Sequence, residues 1–191
     1  PWVEQLAYPM STPEDFVRYG ERMVEIGLSE SSELEALETM ESEFREHPAI
    51  HTLILLSLWE IGATEDALEV VEAARARYPG YPPYLYHHAC FLFLENKFTE
   101  GMAILDGTFR IRHHFSNQKH FIHQSFQSAL NAAIVYHLRR DDPEPAFHYY
   151  EWLNDLKEDG VNTELALREI LEFIGETTEI DVDIDPDDIF G

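Results

Sequence analysis

The sequence predicts an all-α fold made of successive helical hairpins, and three observations favour it. Apolar residues recur at helical rather than alternating spacing through most of the chain. Glycine, asparagine and proline stand where the predicted helices end. The spacing of one hairpin also recurs 34 residues later, which is typical of folds whose repeated units bury one another's apolar faces. The recurrence pairs Gly62 with Asn96, Ala67 with Gly101, and Val71 with Leu105.

The clearest unit spans residues 48–79. Its first helix carries apolar residues such as Ile50 and Ile54 on one side, and Gly62 is expected to end it in a left-handed conformation. Thr64 is expected to cap the returning helix, which carries a stripe of small residues that lets the two helices approach closely. Because a single hairpin cannot bury both of its faces, the unit needs neighbours.

The other elements follow in chain order. One hairpin precedes the central unit and a third follows it, while residues 107–128 interrupt the period as an insertion. A fourth hairpin resumes at Ala129, and a last helix after Thr163 is expected to cover the exposed end of the stack. The predicted boundaries are 1–12 for an N-terminal arm, 13–176 for the helical domain and 177–191 for an acidic tail.

The charge of the chain restricts its partners. A formal net charge of −24 argues against nucleic acid or an anionic membrane as the main partner, because both are polyanions. No run of 18 apolar residues and no signal peptide are visible. The single cysteine excludes an intrachain disulfide and is compatible with a reducing compartment, so we expect a cytoplasmic protein.

These repeats resemble the tetratricopeptide repeat (TPR) family, with about four degenerate copies across residues 13–160. The period of 34 residues is that of TPR arrays. The resemblance implies a superhelix of helical hairpins that binds a peptide in a concave groove rather than catalysing a reaction. The family's spacing is matched in the central unit by Trp59, Gly62, Ala67, Ala74 and Pro79, and in the third unit by Ala89, Asn96, Phe98 and Gly101.

The register of the repeats also implies which side chains would face the groove. None of these positions is basic, so a clamp that grips a terminal carboxylate with Lys and Arg is not expected. An aromatic, mostly apolar groove is expected instead, as in an adaptor or a chaperone. The implied groove residues are Thr52, Leu56, Trp59, Tyr86, Cys90, Phe93, Gln127, Ile134 and His137.

A competing prediction is a metal-binding protein or metal-dependent enzyme that uses the histidines between residues 87 and 148. The candidate ligands are His113, His114, His120 and His123, the last two of which share a helix face if that segment is helical. No metal motif of fixed spacing is present, and neither a phosphate loop nor a nucleophile motif appears. We therefore expect a protein that is not an enzyme and that needs no cofactor.

The insertion and the tail allow two further interpretations. The insertion contains no acidic residue and carries Arg110, Arg112 and Lys119, which favours an acidic peptide as its ligand. Alternatively, its phenylalanines pack locally and it has no ligand. The acidic tail is itself a candidate ligand, in the same chain or in a second copy, so a homodimer formed through the tail is another possibility.

Overall fold

The structure is a computed structural model that describes residues 12–27, 32–118, 121–156 and 163–177. These residues form ten helices and no strand, which confirms the all-α prediction. The predicted N-terminal arm up to residue 11 and the tail from residue 178 lie outside the described residues. The helices are α1 (Pro13–Gly27), α2 (Glu33–Phe44), α3 (Pro48–Glu60), α4 (Thr64–Arg77), α5 (Pro82–Leu94), α6 (Phe98–Ile104), α7 (Ile111–His114), α8 (His123–Leu138), α9 (Pro143–Asp155) and α10 (Glu164–Thr177).

The same helix-ending motif closes α3, α5 and α8. Gly62, Asn96 and Asp141 follow these helices with φ values of 81°, 58° and 55°, in the left-handed region. In each turn the N–H of this residue donates to the carbonyl three residues back, and the next N–H donates to the carbonyl five residues back. These two bonds define the Schellman motif. The predicted turns at Gly62 and Asn96 therefore exist, and Asp141 supplies a third.

The capping prediction for α4 was wrong. Thr64 is the first residue of the helix, and Ala63 occupies the cap position without a side-chain hydrogen bond. The Schellman turn explains this, because Ala63 is both the last residue of the turn and the residue before α4. Thr64 therefore lies one position inside the helix and cannot cap it. In contrast, Ser32 forms a complete capping box with Glu35 at the start of α2.

The helices pack as neighbours along the chain. The hairpins are α1–α2, α3–α4, α5–α6 and α8–α9, and α2 packs on α3 while α4 packs on α5. The most extensive pairings are α5 with α8 and α8 with α9. Small residues of both helices belong to one core cluster, namely Ala89, Ala129 and Ala132.

The insertion is shorter than predicted. Helix α8 begins at His123, so residues 123–128 belong to the fourth hairpin rather than to the insertion. The phenylalanines of the remaining segment pack on the core formed by α5 and α8. Phe109 is the best connected, because its ring lies 6.2 Å from that of Phe93 and 5.5 Å from that of Tyr136. The interpretation that these rings pack locally describes Phe109 well.

Gly101 provides a test of this packing. A Cβ atom added to Gly101 would lie 2.8 Å from Cδ1 of Phe93 and still closer to Cε1. Because the Phe93 ring is fully buried and cannot move aside, we expect Gly101→Ala to lower the free energy of unfolding by about 1–3 kcal/mol in urea denaturation.

Gly20→Ala is the matched control. Gly20 lies in α1, where an added Cβ meets nothing within 4 Å. Helix propensity then predicts stabilisation by about 0.5–1 kcal/mol. Equal effects of the two substitutions would contradict the packing described for α6 on α5.

Candidate binding groove

A groove of about 970 Å³ lies between α10 and the face formed by α3, α5 and α8. Leu56 and Trp59 of α3 form one apolar wall. Leu165, Leu167 and Leu171 of α10 form the other. Leu167 is 42% exposed and Leu171 is 59% exposed, so α10 presents apolar surface that the described part of the chain does not cover. Exposed apolar surface of this kind, grouped in a concavity, is typical of interaction sites.

The floor of the groove is polar and comes from α5 and α8. Ser128 Oγ donates to the carbonyl oxygen of Gln124 at 2.7 Å, as a carbonyl can only accept. The contact of 3.0 Å between His87 Nε2 and Ser128 Oγ is then a bond in which the ring N–H donates. His87 is therefore neutral with its proton on Nε2, and burial lowers its pKa to about 4.

Asn131 adds an acceptor to the same floor. Its side chain lines the groove and is 6% exposed. Its Oδ1 atom accepts no hydrogen bond from the described residues. Oδ1 itself is closed off from solvent, so a ligand in the groove does not reach it. The floor between the two apolar walls is therefore polar but well packed.

Helix α10 is held in place by charged residues at the edge of the groove. Glu169 is 4% exposed and accepts hydrogen bonds of 2.9 and 3.2 Å from Arg139, at the end of α8. Burial raises the pKa of Glu169, and Arg139 opposes this shift by favouring the carboxylate. The guanidinium of Arg168 lies 4.4 Å from the centre of a Trp59 ring, a cation–π contact that joins α10 to α3.

The structure brings together part of the predicted groove. Leu56, Trp59 and Gln127 line it. His137 does not line it, because its ring stacks on Tyr149 and its Nδ1 lies 3.0 Å from Asp142 Oδ2. The α10 residues, His87 and Asn131 also line the groove, although the repeat spacing does not predict them there. The apolar pattern of α10 was visible, but it was interpreted only as a surface that caps the stack.

Five other predicted groove residues are buried in the core, so their assignment to the groove is corrected. The insertion explains two of them: Tyr86 donates a hydrogen bond of 3.3 Å to the carbonyl of Phe109, and Phe93 packs against the Phe109 ring. The insertion therefore covers a side of α5 that would otherwise be open. The five buried residues are Thr52, Tyr86, Cys90, Phe93 and Ile134.

The basic and histidine-rich residues of the insertion lie apart from the groove lining. Arg110 and Arg112 are exposed and do not line it. His113 and His114 lie next to one another in α7, and His123 is an exposed residue at the start of α8. Two further candidates, Lys119 and His120, lie outside the described residues.

Comparisons with protein-family models, with curated proteins and with solved structures find no match to this chain. The assignment of a role therefore depends on the physical features of the groove. Among the residues that the structure describes, no helix has both the length and the apolar character needed to cross a membrane.

His87 makes stability depend on pH. Its pKa is about 4 in the folded chain, against an ordinary value of 6.5, so the unfolded chain binds more protons between these values. The free energy of unfolding should fall as the pH is lowered through this range, and His87 should account for about 3 kcal/mol of the fall. His87→Gln keeps a donor for Ser128 and should remove the contribution of His87 to this fall. Urea denaturation at several pH values between 7 and 4 measures the free energy of unfolding of both chains.

His148→Gln is the control for this experiment, because the His148 side chain is 59% exposed on α9. Its profile should follow that of the unmodified chain. Parallel profiles for His87→Gln and the unmodified chain would show that His87 is not buried as described.

The ion pair of α10 gives a second prediction. Arg139→Met should leave the buried carboxylate of Glu169 without its main partner and lower the free energy of unfolding by about 3 kcal/mol. Hydrogen exchange should increase most in α10. Adding Glu169→Gln should recover much of the loss, because the buried group is then neutral. Arg140→Met, which removes a neighbouring contact with Tyr136, is the control and should leave exchange in α10 unchanged.

Proposed function

We propose that this protein is a TPR-type interaction module that binds an amphipathic helical segment of a partner protein in the groove. The observation that carries the proposal is the pair of facing apolar walls, one on α3 and one on α10, with about 970 Å³ between them. In the helix-in-groove mode of recognition, apolar side chains of a helix enter such a space while its polar face stays in water.

Two features support the TPR-type architecture in this proposal. The first helices of three hairpins, α3, α5 and α8, end in the same Schellman turn, and all three contribute residues to the lining of the groove. Helices α3 and α5 are also joined directly, since Tyr84 donates a hydrogen bond of 2.9 Å to the carbonyl of Pro48. Successive hairpins with a common inner face are what a repeat superhelix requires.

The groove also indicates the chemistry of its ligand. Leu167 and Leu171 are four residues apart on one side of α10, so a facing helix needs apolar residues at spacings of three and four. The rim carries Glu60, Glu172 and Arg168, and the Arg139–Glu169 ion pair lies at the same edge.

These rim charges, together with the net charge of −24, favour a basic polar face on the ligand. The acidic-ligand patch of Arg110, Arg112 and Lys119 and self-association through the tail both stay predictions. Arg110 and Arg112 do not line the groove, and Lys119 and the tail lie outside the described residues. Both adaptor and chaperone roles use a groove of this kind. The range of sequences that the groove accepts separates a selective adaptor from a permissive chaperone.

A peptide-display selection against the full chain tests the proposal. The selected peptides should share apolar residues at spacings of three and four with basic residues between them, and should become helical on binding. Leu171→Glu should weaken the binding of a selected synthetic peptide at least tenfold in calorimetry, because it places a charge in the apolar wall. The exposed position of Leu171 makes this variant compatible with folding.

Phe147→Glu is the matched control, since Phe147 is a similarly exposed apolar residue of α9, at 39%, that does not line the groove. It should leave the affinity unchanged. Peptides that bind Leu171→Glu as tightly as the unmodified chain would refute the groove as the site.

A further inference from the structure

A second cluster lies at the loop between α6 and α7, apart from the groove lining. Asp106, His113 and His114 each place one potential metal-ligand atom within 4.8 Å of the others. Two ligand atoms on one tetrahedral Zn²⁺ are roughly 3.4 Å apart for bonds of about 2.1 Å. Since Asp106 and His113 are exposed, small side-chain rotations bring the three atoms to that separation. Imidazole nitrogen and carboxylate oxygen are both common ligands of Zn²⁺.

His114 makes a hydrogen bond of the kind that metal-bound histidines make. Its Nε2 atom lies 2.9 Å from the carbonyl oxygen of Thr108. Because a carbonyl only accepts, Nε2 is the donor, and Nδ1 is the nitrogen that a metal ion would take. Metal-ligating histidines almost always donate their other ring N–H to a carbonyl, a carboxylate or water. The ring also packs edge-on against buried Tyr86, at 6.0 Å and 75°, which restricts its rotation.

Asp106 is held by the backbone. It has a φ of 44°, in the left-handed region, and donates its N–H to the carbonyl of Ala103 at 3.3 Å. Gly107 donates to the carbonyl of Met102 at 3.0 Å, so α6 ends in the same motif as the hairpin turns. The motif fixes the backbone position from which the Asp106 side chain projects.

We propose that Asp106, His113 and His114 form a binding site for one divalent transition-metal ion, and that Zn²⁺ is the ion that fits best. The ligand set of two imidazoles and one carboxylate occurs in zinc sites with an open fourth position. A water molecule or a group from a partner would complete a tetrahedral site. Arg110 and Arg112 are exposed cations of the same segment, and their charge repels a metal cation. We therefore expect a dissociation constant on the order of micromolar.

This proposal is independent of the groove and differs from the ligand set predicted from the sequence. That set contained His113 and His114 together with His120 and His123. Among the described residues, His123 does not join the cluster, and Asp106 takes part instead. Asp106 is eight residues from His114, and only the helix-ending turn brings the two together.

Calorimetric titration with ZnCl₂ tests the site. The full chain is purified without a histidine tag, stripped with EDTA and dialysed, and is expected to bind one equivalent of Zn²⁺. Asp106→Asn and His113→Ala should each weaken binding at least tenfold, because each removes one of the three ligands. Asn tolerates the left-handed conformation, so Asp106→Asn keeps the backbone intact. The Co²⁺-loaded chain should show the visible absorption of tetrahedral Co²⁺, and both variants should lose it.

His123→Ala and His148→Ala are the controls, as both histidines are exposed and lie outside the cluster. They should leave the affinity and the stoichiometry unchanged. A thermal melt of each variant checks that it is folded. Absence of stoichiometric binding to the unmodified chain would overturn the proposal, and so would binding that survives both Asp106→Asn and His113→Ala. The Leu171→Glu variant should bind Zn²⁺ normally, which keeps this test separate from that of the groove.

Discussion

The close packing of α5 against α8 is the contact on which the rest of the structure depends. Alanines at positions 89, 129 and 132 are buried at 5% exposure or less, in a core cluster that the two helices share. These helices belong to hairpins that the insertion separates in the sequence. Their contact therefore closes a long loop, and the residues of that loop must find partners on the surfaces that the two helices leave free.

The insertion packs on one side of the α5–α8 pair, and α10 packs on the other. Phe109 packs on Phe93 and Tyr136, so the side of α5 and α8 next to the insertion becomes core. On the opposite side the floor stays polar, and α10 crosses it with contacts at Arg139 and Trp59. The result is a groove with one wall on α3 and one on α10, and a separate histidine cluster on the insertion.

Local interactions could be predicted from the sequence, whereas contacts between distant residues could not. Turns at Gly62 and Asn96 depend on residues within the turn, and they were predicted correctly. The side of α5 that carries Tyr86 is covered by Phe109, which lies well beyond the helix in the sequence. This side was predicted to face the groove, which was wrong. Likewise, the contact of Arg168 with Trp59 joins residues that are distant in the sequence. Repeat spacing contains no information about such contacts, because the insertion and α10 lie outside the repeated pattern.

The burial of Cys90 has a consequence for the chemistry of the whole chain. Cys90 is buried on α5, and its burial raises the pKa of the thiol, so the thiol stays protonated. Thiolate is the form that reacts with oxidants and disulfides, so the native protein resists mixed-disulfide formation whatever the redox state around it. The lone thiol thus reports on the opening of the native state, since a thiol-specific reagent can label it only when α5 is transiently uncovered.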